Sequence, residues 1–262
     1  MAARRPLVSG NWKMNHDHIE ALHLVRDLGL RLKPEDVQTV DVSVHPPFTD
    51  LRTVQTLVEK EGIPLALGAQ HCSFEDAGAR TGEVSPRMLA RLATTYVIVG
   101  HSERRTLYNM DDEMVAATVK AVLRHDMTPI ICVGESEEER ARSQTESKLE
   151  TQVLSALDGL EAEKVATLVF AYEPIWAIGT GQAATPVDAE DACVFIRALV
   201  AKAAGDEAAE SVRIQYGGSV NGENATDLMS EPDVDGLLVG GASLEAASFL
   251  DVIRGTGACY RS

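Results

Sequence analysis

Eight short apolar runs, each followed by an amphipathic stretch or room for one, restrict this sequence more than any other feature. They cover residues 7–11, 40–45, 65–70, 96–100, 128–133, 167–172, 213–216 and 236–239. They are rich in Val, Ile and Leu, the pattern of parallel strands buried on both faces. Most of them run into Gly, Asn, His or Pro. The intervening segments read as helices. Ile19, Leu22, Val25 and Leu28 recur every three residues, and Asp17 with Glu20 forms a capping-box pattern. Asp111-Asp112-Glu113 opens a second helix, striped by Val115, Val119 and Val122 and closed by Arg124 and His125. Thr185-Pro186 supplies a third with an N-cap and a proline at its first position. Eight such units in 262 residues predict an α/β chain folded as one (β/α)8 barrel over residues 1–262. A doubly wound open sheet calls for G-x-G-x-x-G after the first strand, where Asn11-Trp12-Lys13 stands instead.

Composition removes several functions. With 24 Lys+Arg against 40 Asp+Glu the formal charge is −16, and the basic residues form pairs (Arg4-Arg5, Arg104-Arg105) rather than patches. Nucleic acid is therefore not an expected partner. A 45% hydrophobic content excludes disorder, and no apolar run reaches bilayer length. Arg4-Arg5-Pro6 leads directly into the first run, so no secretory signal is expected. Cys72, Cys132, Cys193 and Cys259 stand about sixty residues apart without a C-x-x-C. That spacing suits neither a zinc site nor a disulfide framework, and a cytoplasmic protein is expected. His16-Asp17-His18 puts its two imidazoles on different helix faces, so no metal site is expected there.

In a barrel the strand ends carry the chemistry. Glu173 follows the sixth run and precedes Pro174; desolvation there would raise its pKa and make it a usable base. The other reading is a strand-end glutamate in an ion pair. Pro174, Ile175, Trp176, Ala177, Ile178, Gly179, Thr180 and Gly181 form a loop with an apolar centre. Such a loop is either a lid over a ligand or permanent packing on the rim. His101 follows the fourth run; a helix starting there would keep the ring neutral, able to donate to a carbonyl. Alone it reads equally as structural, and Lys13, after the first run, as a surface residue. Gly217-Gly218-Ser219 and Gly240-Gly241-Ala242-Ser243 follow the seventh and eighth runs. Turns of that kind gather backbone N–H groups around a phosphate.

These segments together resemble the triosephosphate isomerase family over essentially the whole chain. The motifs that carry the resemblance are Gly10-Asn11-Trp12-Lys13-Met14-Asn15, Gly68-Ala69-Gln70, Thr81-Gly82-Glu83-Val84-Ser85 and Val99-Gly100-His101-Ser102-Glu103-Arg104-Arg105. Tyr172 through Gly181, Tyr216-Gly217-Gly218-Ser219 and Val239 through Ser243 complete the set. The family is a standard example of a glutamate base beside a neutral histidine under a closing loop.

The resemblance implies interconversion of glyceraldehyde 3-phosphate and dihydroxyacetone phosphate in central carbon metabolism (glycolysis and gluconeogenesis). Glu173 would move the proton, His101 polarise the carbonyl, Lys13 balance substrate charge and Asn11 orient the substrate. Gly179, Ser219, Gly240 and Gly241 would bind phosphate, and no cofactor or metal is implied. A homodimer is implied too, with the loop from Gln70 to Glu83 inserted into the partner and Thr81 reaching its site. Three positions depart from the family pattern: His71 replaces Asn, Met110 replaces a carboxylate, and Gln182 replaces Lys. Two other functions compete, a paralogue acting on a tetrulose phosphate and a non-catalytic phosphate-binding barrel.

Overall fold

A computed structural model describes residues 4–178 and 184–260. Gly179, Thr180, Gly181 and Gln182 therefore lie outside the described residues. Eight parallel strands follow in chain order: β1 (Leu7–Asn11), β2 (Asp41–His45), β3 (Ala66–Ala69), β4 (Tyr96–Val99), β5 (Thr128–Val133), β6 (Val169–Tyr172), β7 (Arg213–Tyr216) and β8 (Gly236–Val239). Each pairs with the next, and β8 returns to pair with β1, Leu7 opposite both Asp41 and Gly236. The sheet closes as a (β/α)8 barrel, and the open-sheet alternative is excluded. β1, β5, β7 and β8 match the expected runs, while the other four are shorter by one or two residues. At the end of β4 the reason is local: Gly100 takes a left-handed φ of 71° and turns the chain out of the sheet.

Helices cover the outside. α1 (His18–Arg31) starts as expected: Asp17 accepts the N–H groups of Ile19 and Glu20, and Glu20 returns a bond to the Asp17 N–H. Its buried face differs from the expected stripe. Ala21, Leu24, Val25 and Leu28 face the barrel, whereas Ile19 is 54% exposed. A count of three per turn drifts against the true 3.6, so the first member of the stripe falls on the solvent side. α2 (Ser102–Tyr108) follows β4. α3 (Asp112–Leu123) is capped by Asp111, which accepts from Met114, and buries Val115, Val119 and Val122. α4 (Pro186–Ala204) begins with the reciprocal Thr185–Asp188 capping box.

Inside the barrel, Leu7, Tyr96, Ile98, Ile130, Cys132, Val169, Ala171 and Leu238 pack as one apolar cluster. The strand N-terminal end carries an ionic layer, with Asp41 bonded by Arg5 and Arg213. All four cysteines are free thiols. Among the described residues, no helix is long and apolar enough to cross a membrane. That leaves the opposite, C-terminal ends of the strands as the polar mouth of the barrel.

Candidate active site

At that mouth a cavity of about 400 Å³ gathers residues from five strand ends. Asn11 closes β1 and Lys13 follows it; His101 follows β4 and Glu173 follows β6. Ser219 comes from the turn after β7, and Gly240 and Gly241 from the turn after β8. Ile178 is the described member of the apolar loop that reaches the cavity wall. The predicted site residues that the structure describes are thus brought together, except for the start of the loop, which lies on the rim.

Glu173 is 2% exposed. Its Oε2 accepts the Ser102 N–H at 2.9 Å, and its Oε1 lies 2.9 Å from His101 Nε2 without the alignment of a hydrogen bond. Burial pushes the Glu173 pKa up, but His101, the Ser102 N–H and Lys13 outweigh it, and the net direction is down. The expected raised carboxylate is corrected accordingly. Strand-end desolvation is present, and an imidazole contact that adjacent sequence does not reveal overrides it.

His101 caps α2, as the expected helix start requires, and its Nδ1 accepts the Glu103 N–H at 3.2 Å. That bond assigns the proton of a neutral ring to Nε2, which faces Glu173. Burial pulls the His101 pKa down, yet the adjacent Glu173 carboxylate lifts it further up, so the net direction is upward. The expectation of a simply depressed imidazole omitted this partner. Carboxylate and imidazole behave as one coupled unit.

Lys13 sits at a left-handed φ of 53°, unusual for a residue with a side chain. Asn11 Oδ1 accepts its N–H at 3.0 Å, and Gln70 Nε2 donates to its carbonyl at 2.8 Å. Its Nζ pairs with Glu103 at 2.8 Å. A Cβ placed on Gly240 would stand 3.6 Å from Lys13 Cε, so the lysine stem faces the β8 turn. Below that turn, Ser243 donates to the Gly240 carbonyl through both its hydroxyl and its N–H. At Gly218 a Cβ would overlap the Tyr216 ring, which explains a glycine in the β7 turn.

The described part of the apolar loop forms a 3-10 turn, Ile175–Ala177, anchored on a residue the sequence reading missed. Glu135, fully buried after β5, accepts from Tyr172 Oη at 3.1 Å and from Trp176 Nε1 at 2.8 Å. Arg140 lies over the Trp176 ring at 4.2 Å. A carboxylate just past a strand end was the available signal. Gln70, Ser102 and Glu103 were quoted in motifs, but Gln70 and Ser102 act through a backbone atom on one side, and the Glu103–Lys13 ion pair joins residues far apart in the chain, which no residue pattern displays.

His71 and Met110 line a second cavity of about 410 Å³, beside Arg104 and Tyr108. His71 Nε2 lies 3.6 Å from Glu83, and burial, with help from Arg104, pulls the ring's pKa down to about 4. Met14, 96% exposed, and Leu107 and Tyr108 are large exposed side chains in neighbouring segments. Among the described residues, no group of three or more His, Cys, Asp or Glu is placed to hold a metal ion.

Fold and site together define a (β/α)8 barrel with a carboxylate–imidazole pair at its mouth, an architecture suited to acid–base chemistry on a small polar compound. The family model described as triosephosphate isomerase matches residues 6–256. A triosephosphate isomerase of Nocardia farcinica is 50% identical over 248 residues, covering 94% of this chain and 95% of the relative. One of Streptomyces avermitilis is 49% identical over 254 residues (97% and 98%), and one of Mycobacterium avium 49% over 247 (94% and 95%). The chain belongs to the triosephosphate isomerase family.

Proposed function

We propose that the protein interconverts D-glyceraldehyde 3-phosphate and dihydroxyacetone phosphate through an enediolate. The observation that carries this reading is the buried Glu173–His101 pair, 2.9 Å apart, facing a cavity that Lys13 and the Gly240 turn also line. Glu173 takes the proton from C2 of the aldehyde as the C1 oxygen gains charge. His101 Nε2–H donates to that oxygen, and the ring exchanges protons between the two oxygens. Glu173 then returns its proton to C1. A substrate between the two side chains separates them, and the Glu103 N–H on Nδ1 then holds the ring neutral. Lys13 balances the developing and phosphate charges, and Asn11 holds both the substrate and the Lys13 backbone. N–H groups of Ser219, Gly240, Gly241 and Gly179 hold the phosphate. No step calls on a metal or cofactor.

The apolar loop acts as the lid that keeps water from the enediolate. In this reading the chain is a single cytoplasmic domain that works as a homodimer. The Gln70 to Glu83 loop of one protomer would insert into the other, with Thr81 reaching its site. Met110 removes a carboxylate from the region that would be buried in this contact, whereas His71 replaces one uncharged polar residue with another.

Side-by-side assays with glyceraldehyde 3-phosphate and a tetrulose phosphate test the substrate. Triose turnover should exceed tetrulose turnover by about a hundredfold or more, the scale on which a pocket built for polar contacts discriminates. Faster tetrulose turnover, or triose binding without exchange of the C2 proton, would contradict the assignment.

A further inference from the structure

Beneath the cavity, the barrel interior holds a polar chain that the reaction scheme does not use. Ser9 on β1, Ser43 and His45 on β2, and Gln215 on β7 are fully buried. Gln215 Nε2 donates to Ser9 Oγ and to the Leu7 carbonyl, each at 2.9 Å. The Ser9 and Ser43 hydroxyls are 2.9 Å apart, and Ser43 Oγ is 3.1 Å from His45 Nε2. His45 Nδ1 lies 3.2 Å from the Ala69 carbonyl oxygen.

The partners of the imidazole fix the position of its proton. A carbonyl only accepts, so Nδ1 carries the ring proton. Burial pulls the His45 pKa down to about 4, against the Ala69 carbonyl, so the ring is neutral near pH 7 and Nε2 accepts from Ser43.

Room for the ring comes from one neighbour. A Cβ at Gly68 would overlap the His45 imidazole, so the two residues form a matched pair. The far end of the chain reaches the catalytic loop. The His45 carbonyl accepts the Trp12 N–H at 3.2 Å and Gln70 Nε2 at 2.9 Å. The same Gln70 nitrogen donates to the Lys13 carbonyl, and the Ala69 carbonyl held by the ring belongs to the peptide that leads into Gln70. Lys13 keeps its left-handed backbone at φ 53°. Such a conformation persists only where the surroundings over-determine it.

We propose that His45 is a positioning residue for Lys13, its ring holding the Ala69–Gln70 peptide and its carbonyl holding the Trp12–Lys13 turn. The role rests on the function proposed for Lys13 above. Two variants separate positioning from space filling: His45→Ala, which leaves a void, and His45→Ala with Gly68→Ala, which refills part of it. His45→Ala should lower Tm and raise KM for glyceraldehyde 3-phosphate about tenfold, with a smaller change in kcat. In the double variant Tm should recover while KM stays raised. A KM within about twofold of wild type in either variant would overturn the proposal, because the ring would then only fill space. KM does not depend on the fraction folded, so the reading holds even if the double variant stays destabilised. ¹⁵N NMR of the wild type should show His45 as the Nδ1–H tautomer; the Nε2–H tautomer would overturn the proposal, since the ring could not then donate to the Ala69 carbonyl. A wild type that fails to turn over the triose would contradict the function itself. The positioning role is then decided by calorimetric sulfate affinity, by the same loss or its absence in His45→Ala.

Discussion

His45 and His71 are each pulled from an ordinary value of 6.5 down to about 4, mainly by burial. As pH falls below about 6.5, the unfolded chain binds protons at both residues while the folded chain does not. Stability should therefore drop between pH 6.5 and about 4, and these residues add nothing to the slope outside that window. His101 has the opposite sign, since its pKa is raised and its contribution is lost as pH rises. Comparing wild type with His45→Ala isolates one residue. Urea midpoints should fall less steeply with acidification in the variant, and identical slopes would contradict a neutral buried His45. At this scale the sequence showed the positions of Glu173, His101 and Lys13, because strand ends are readable. It did not show their protonation. Both directions are set by a 2.9 Å contact between residues far apart in the chain.

Elements were more legible than their boundaries. Strand cores follow from runs of β-branched residues, whereas strand ends depend on where a neighbour stops pairing. Capping at Asp17, Asp111 and Thr185 was readable because each bond is local. The anchoring of the apolar loop was not, since Glu135 and Trp176 meet only in the folded barrel. That anchor sharpens one prediction. Deleting residues 175–178 should leave the barrel folded but lower Tm, because the buried Glu135 carboxylate loses its Trp176 donor. The exposed enediolate should then eliminate phosphate, and methylglyoxal should appear with inorganic phosphate in the product mixture. Clean isomerisation by the deleted protein would mean that the loop is rim packing and not a lid.

The molecule as a whole carries −16, yet the proposed substrate is a phosphate ester. At physiological salt the Debye length is about 8 Å, so carboxylates far from the mouth are largely screened. The groups that line the mouth are local ones: Lys13 and the glycine turns after β7 and β8. Barrel closure was legible from the count of eight units, and the site from the ends of those units. What joins them, the inward polar chain and the pairing of His45 with Gly68, depends on which side chains face one another across the barrel. In the proposed reaction Glu173, beside the Ser102 N–H and the His101 ring, transfers the proton between carbons. Steady-state kinetics of Glu173→Asp test it directly, since the shorter side chain withdraws the carboxylate by about 1 Å without removing it. kcat should fall by about a hundredfold, with KM for glyceraldehyde 3-phosphate little changed. A kcat near that of the wild type would contradict it.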